Sequence, residues 1–171
     1  MDAVQSNYQK FPNQFSVGEI CDFQTATDGI QDGSKAAGVV IPVGCGVFAA
    51  AATPNTVALP TSSAEALRCV GVATRDNNAI GSGTAGYPVG WLVNVLRRGQ
   101  IAVLCETACD DGAQAFLRFT DNGAGKSIGQ WRNDADTGKA VAVPGCVFRT
   151  TTAGTGKVVK LEVNRVGVAE V

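Results

Sequence analysis

The residues with the best claim to chemistry form a glycine-rich segment ending in lysine and serine, Gly123-Ala124-Gly125-Lys126-Ser127. It imitates the end of a phosphate-binding loop, where backbone N–H groups cradle phosphates, a lysine reaches the outer ones and a hydroxyl holds Mg²⁺. The full pattern needs a glycine five residues before Gly125, and Thr120 stands there. It also needs a helix to follow, yet residues 128–132 lead into the turn-rich Asn133-Asp134-Ala135-Asp136-Thr137-Gly138. A second segment, Gly81-Ser82-Gly83-Thr84-Ala85-Gly86, matches GxGxxG literally. Pyrophosphate capture there requires a strand before it and a helix after it. Tyr87-Pro88-Val89-Gly90-Trp91 enters a strand instead, so both segments read as loops and neither ATP nor NAD binding is expected.

Asp134 and Asp136, with Asn133, could offer oxygens to Ca²⁺, but the later ligands of an EF-hand are missing. Alternating Asp in a turn more commonly closes Asx-turns, and Asp110 and Asp111 read the same way. The chain contains no His. The commonest general base and the commonest neutral metal ligand are therefore absent. No catalytic residue, cofactor or metal ligand is predicted. Six cysteines (Cys21, Cys45, Cys69, Cys105, Cys109 and Cys146) include no CxxC pair, and without His no familiar zinc pattern can be completed. Packing as small apolar side chains suits Cys105, which shares a face with Ile101 and Val103, and Cys146, which shares one with Phe148. It suits Cys109 poorly, because Thr107-Ala108-Cys109-Asp110-Asp111-Gly112 reads as an exposed turn.

The elements that would position these residues are strands. Apolar runs at 91–96, 101–104 and 115–119 are punctuated by Arg98-Gly99 and Asp110-Asp111-Gly112, the spacing of antiparallel hairpins. A two-residue loop at Arg98-Gly99 would pair Leu96 with Ile101, Val95 with Ala102, Asn94 with Val103 and Val93 with Leu104. Both faces of that hairpin are mostly apolar, so one needs a barrel or sandwich core and the other a partner. Further strand candidates are 16–24, 38–48, 67–75, 140–143, 146–151 and 157–166. In the last, Val159, Leu161 and Val163 alternate with Lys160, Glu162 and Asn164, the period of a half-buried strand. The one helical signal is the capping-box spacing Ser62-Ser63-Ala64-Glu65, enough for a single turn. The fold class expected is all-β: a single barrel or jelly-roll-like sandwich over 16–171, with residues 1–15 as an extended arm.

Composition agrees. Glycine supplies 21 of 171 residues, about 12 % against a usual ~7 %, which favours turns over long helices. With 14 basic and 15 acidic residues the net charge is −1, offering no bulk attraction to nucleic acid or to an anionic membrane. The longest apolar runs fall well short of a spanning helix. The opening MDAVQSNYQKFPNQF lacks an apolar signal core, so synthesis in a cytoplasm is expected. That arm nonetheless carries Tyr8, Phe11 and Phe15. Three aromatics in fifteen polar residues cannot fold alone, but they can bury area on a neighbouring chain.

Taken in order, several segments resemble the structural cement, or capsid decoration, proteins of tailed bacteriophages. The resemblance runs from Val4-Gln5-Ser6-Asn7-Tyr8 and Gly18-Glu19-Ile20 through Val70-Gly71-Val72-Ala73 and the stretch from Val93 to Ile101. It ends with Trp131-Arg132-Asn133-Asp134-Ala135-Asp136 and Ala142-Val143-Pro144-Gly145-Cys146-Val147-Phe148. It implies a β-rich virion protein without enzymatic activity, made in the bacterial host cytoplasm. Such a protein binds the capsid exterior as a homo-oligomer (a trimer or dimer) and bridges major capsid protein subunits, with other decoration proteins as further neighbours. On a virion surface disulfides persist, and Cys109, Cys21 and Cys69 are the candidates, at least one of them joining separate chains. Two other functions fit the residues less well. A receptor- or glycan-binding module would need an aromatic platform from Tyr87, Trp91 and Trp131. An ATP-dependent recombination protein would need nucleotide at Gly125-Lys126-Ser127.

Overall fold

The computed structural model describes residues 15–21, 30–50, 55–75, 86–123 and 126–165, with the side chains of residues 30 and 31 left aside. Strands occupy about half of this and helices about 6 %. In chain order the elements are β1 (Ile30–Ala37), β2 (Ile41–Pro42), β3 (Gly46–Ala49), β4 (Thr56–Ala58), α1 (Ser63–Leu67), β5 (Cys69–Ala73) and β6 (Gly86–Tyr87). They continue with β7 (Leu92–Cys105), β8 (Gln114–Arg118), β9 (Trp131–Arg132), β10 (Ala140–Phe148) and β11 (Lys157–Asn164). The all-β expectation holds. The single helical turn also forms where the capping box placed it: Ser62 accepts from the Glu65 N–H at 3.3 Å, and the Glu65 carboxylate accepts from the Thr61 N–H at 2.6 Å.

The strand pairings close into two rings. One runs β1-β4-β3-β5-β7 and back to β1; the other runs β7-β11-β10-β8-β9 and back to β7. Each encloses its own apolar core. The first contains Val47, Val57, Ala73, Tyr87, Val93 and Val95. The second, larger core contains Ile101, Val103, Leu117, Trp131, Phe148 and Leu161. Closing a ring removes the open edges at which β proteins otherwise aggregate.

The 14-residue β7 belongs to both rings, which corrects the hairpin expected at 93–104. Its first half pairs with β1 and β5, with Leu96 opposite Val72 and Val95 opposite Ala73. Its second half pairs with β11 from Lys157 opposite Cys105 to Asn164 opposite Arg98. Arg98-Gly99 is no turn. Ile30 faces Arg98 and Gln31 faces Leu96, so Arg97 is the extra residue of a β-bulge, followed by Gly99 at φ 131°. One inserted residue moves every later side chain to the other face of the strand. Val93 and Val95 therefore point into the first core, while Ile101, Val103 and Cys105 share the second core with Leu96. The bulge lets one strand serve two cores.

Other boundaries moved for similar reasons. The candidates 140–143 and 146–151 merge into β10, which bulges between Ala142 and Val147 around Pro144-Gly145. The candidate 38–48 splits into β2 and β3. From 16–24, Ile20 makes a single bridge to Ile101, and residues 22–29 lie outside the described residues. Val159, Leu161 and Val163 are buried as the alternation required.

Candidate contact surface

Two turns lie side by side at the end of the first ring. Residues 38–40 connect β1 to β2, and residues 88–91 connect β6 to β7. They are locked together by backbone bonds: Gly90 N–H to Ala37 O at 2.8 Å, Ala37 N–H to Trp91 O at 2.8 Å and Trp91 N–H to Pro88 O at 3.1 Å. The β2–β6 ladder, with Ile41 opposite Tyr87, continues the contact. Gly90 takes φ 84°, and Pro88 before it restricts the turn further. On this frame Val39, Val40, Val89, Trp91 and Leu92 point outward, with Val89 61 % and Leu92 64 % exposed. Exposed apolar side chains gathered on such a frame make a patch of the kind that commonly marks a functional surface on a monomer.

The structure separates the three aromatics of a supposed glycan platform. Trp91 is on the patch. Tyr87 is buried, its hydroxyl donating to Thr74 O at 2.9 Å, and Trp131 is buried with Nε1 donating to Gly44 O at 3.1 Å. Among the described residues, then, no platform is formed from them. The lysine of the phosphate-loop imitation also sits in turns: Lys126 N–H donates to Gly123 O at 3.0 Å, and Gln130 N–H to Ser127 O at 3.2 Å. Strand β9 follows where a nucleotide site would need a helix N-terminus. Gly86 opens β6, while residues 81–85 and 124–125 lie outside the described residues.

Of the arm aromatics, Phe15 is described and Tyr8 and Phe11 are not. The Lys160 ammonium lies 4.9 Å from the centroid of the Phe15 ring, a cation–π contact within the chain. Residues 18–21 then run along the free edge of β7, with Gly18 N–H to Ala102 O at 2.7 Å and Cys21 N–H to Gln100 O at 2.9 Å. The arm thus enters the fold beside the second ring.

Sequence reasoning missed a buried ionic cluster that secures the 120–139 loop. Glu106, just past β7, accepts two hydrogen bonds from Arg118 (Nε and Nη2, each 2.7 Å) and one from Arg132 Nη1 at 3.2 Å. Asp136 joins both arginines, at 2.5 Å from Arg118 Nη2 and 2.7 Å from Arg132 Nη1. Its hydrogen bond from Arg118 comes first in holding the Asp136 carboxyl below its ordinary value. Asp134 Oδ1 accepts from the Asp136 N–H at 2.8 Å, the Asx-type turn expected, and from Arg132 at 2.6 Å. Both carboxylates are therefore committed to guanidinium groups rather than arranged around a cation. Two arginines separated by turns and long loops carry no periodic sign of burial, so only their proximity in space reveals the cluster.

All six cysteines are thiols. Cys109 corrects its reading as an exposed turn residue: it is 2 % exposed, because the segment folds back in a bridge to Thr152 that tucks its sulfur against Thr150 O at 3.4 Å. Burial pushes the Cys109 and Cys45 thiols up to about 12 and Cys69 up to about 11, and raises Cys146 as well. Cys21 alone is half-buried. A thiol must ionise and be reached to react. A maleimide added to native protein should therefore modify Cys21 first, and the other cysteines only on unfolding. Mass mapping that finds Cys109 labelled as fast as Cys21 would contradict this burial.

The structure is thus a double ring of strands with exposed apolar side chains on two braced turns. The family model of the structural cement proteins (E217 gp24/Pam3 gp6) matches residues 4–164. The chain belongs to that family and is a structural protein of a phage capsid. A chain in the solved capsid of the Myoviridae phage XM1 superposes with a TM-score of 0.68 at 19 % identity, covering 96 % of this chain and 99 % of that one, and so shares its fold. No curated protein matches.

Proposed function

We propose that this protein binds the outer surface of a tailed-phage capsid as a homo-oligomer and clamps neighbouring major capsid protein subunits together, without catalysing a reaction. Membership of the cement family over nearly the whole chain carries this reading. The preformed apolar patch supports it, because a surface already held in place loses little conformational freedom on docking. Binding only the assembled lattice opposes disassembly by mass action, and repetition over the shell multiplies modest contacts through avidity. Synthesis in the host cytoplasm keeps the thiols reduced during assembly, and other decoration proteins are natural neighbours. Any disulfide between chains formed without unfolding is assigned to Cys21, since Cys109 and Cys69 lie inside the core.

The test is cosedimentation of purified protein with expanded capsids that lack it. Saturable binding and a higher capsid disassembly temperature are expected. Protein that stays in the supernatant at every capsid concentration overturns the proposal.

A further inference from the structure

We propose that Asn122 is a self-modifying site: the Gly123 backbone nitrogen attacks the Asn122 side-chain amide and converts it, through a cyclic imide, to aspartate and isoaspartate. These residues border the glycine-rich segment that fails as a phosphate-binding loop, and the chemistry is independent of capsid binding.

The sequence supplies the nucleophile. Asn122-Gly123 is the one Asn-Gly pair in the chain. A glycine after asparagine has no Cβ to obstruct ring closure, and it tolerates the backbone conformations that bring its nitrogen onto the neighbouring amide carbon. Gly123 takes φ 62°, and a Cβ added there would meet nothing within 4 Å, so this side of the turn is open. Both residues are exposed. They stand in a turn where the Asn122 N–H donates to Lys126 O at 3.2 Å and the Lys126 N–H donates to Gly123 O at 3.0 Å.

The tertiary structure surrounds the reacting atoms with charge. The Gly123 N–H donates to Asp121 Oδ1 at 2.8 Å, so a carboxylate already holds the proton that must leave the nitrogen. Lys139 Nζ donates to Asn122 Oδ1 at 2.6 Å, placing an ammonium where negative charge develops when the amide carbon is attacked. The Asn122 amide nitrogen, which must depart, donates to Asp136 Oδ2 at 3.5 Å, and Asp136 is itself fixed by Arg118 and Arg132. Carbonyl toward ammonium and amino group toward carboxylate is the only orientation of the amide that suits both neighbours. Asn133 is the contrast within the same loop. It too is exposed, but Asp134 follows it, and its Oδ1 accepts from the Thr107 hydroxyl at 2.8 Å rather than from a cation.

In the first step the bond from Gly123 N to Asn122 Cγ forms and the Cγ–Nδ2 bond breaks. The Gly123 proton, passed through Asp121, completes the departing ammonia. Water then opens the imide at either carbonyl, restoring an N–H and leaving a carboxylic acid whose proton goes to ammonia. No oxidant or cofactor takes part. The product adds one negative charge to a chain of net −1 and sets another carboxylate beside Asp136. Isoaspartate also lengthens the backbone of the turn by a methylene.

The experiment holds native protein at mildly alkaline pH and follows tryptic peptide 119–126 by mass, with electron-transfer fragmentation to separate aspartate from isoaspartate. Conversion of the amide to both acids is expected at Asn122, with Asn133 unchanged, and faster than in a synthetic peptide of residues 119–126. Asp121→Ser and Lys139→Gln, each with a wild-type thermal melt, should slow the conversion at least ~10-fold. An intact Asn122, a rate no higher in native protein than in the peptide, or variants as fast as wild type overturn the inference. So would peptides joining residues 122 and 139, because Lys139 rather than Gly123 would then be the nucleophile.

Discussion

Replacing Glu106 by alanine should lower stability by about 3–5 kcal/mol, the cost of removing one partner from a buried ion pair. For a chain of this size that is a fall in melting temperature of roughly 6–20 °C. The reason lies in what remains. Arg118 is wholly buried, and Glu106 receives its Nε and one Nη2 hydrogen bond. Asp136 and the Thr120 carbonyl still hold other donors of that guanidinium, but the buried Nε–H loses the carboxylate it donates to. The same cluster sets the response to acid. Asp136 has its folded value depressed below the ordinary 3.8, chiefly by the hydrogen bond from Arg118. Its contribution is thus complete above 3.8 and is lost as pH falls through the depressed value. Thermal melts of wild type and Glu106→Ala at neutral pH check the main claim, and a difference of only a degree or two would refute the account of the cluster.

Trp131→Ala is the second large effect, again about 3–5 kcal/mol, as for other buried aromatics cut to alanine. Trp131 is fully buried, and its strand β9 is two residues long, yet it closes the second ring by pairing with β8 on one side and with Cys105 of β7 on the other. Its indole fills the space above Gly46, where an added Cβ would sit 3.0 Å from Cζ2. Truncation leaves a cavity and strands the Gly44 carbonyl that the indole N–H satisfied. Trp91→Ala is the control, since Trp91 is 44 % exposed on the patch and surface changes usually stay within about 0.5 kcal/mol. Urea titration separates the two variants. Equal midpoints would mean that Trp131 does not hold the ring closed.

The sequence by itself determined the all-β class, the inward face of β11, the capped turn at α1 and the failure of both glycine-rich segments to enter helices. These are local matters. Period-two alternation, a Ser-x-x-Glu spacing and the residues that follow a glycine loop are all legible within a few positions of the chain. The resemblance to the cement family was equally a matter of ordered short segments.

Only the tertiary structure decided what Arg98-Gly99 means. A tight turn and a β-bulge both call for glycine at positive φ, and which one forms depends on partners far away in sequence. Here β5 and β11 arrive to pair with successive halves of β7, so the chain runs straight through and one extra residue switches it between two cores. Cys109 was misjudged for the same reason: its turn is polar in sequence but is covered by Thr150 and Thr152, some forty residues further on. The ionic cluster and the apolar patch are likewise products of proximity, the first drawing on β7, β8, β9 and a loop, the second on two turns separated by about fifty residues. Side chains reveal their own preferences locally, but burial is a property of what packs against them, and that is settled by long-range pairing.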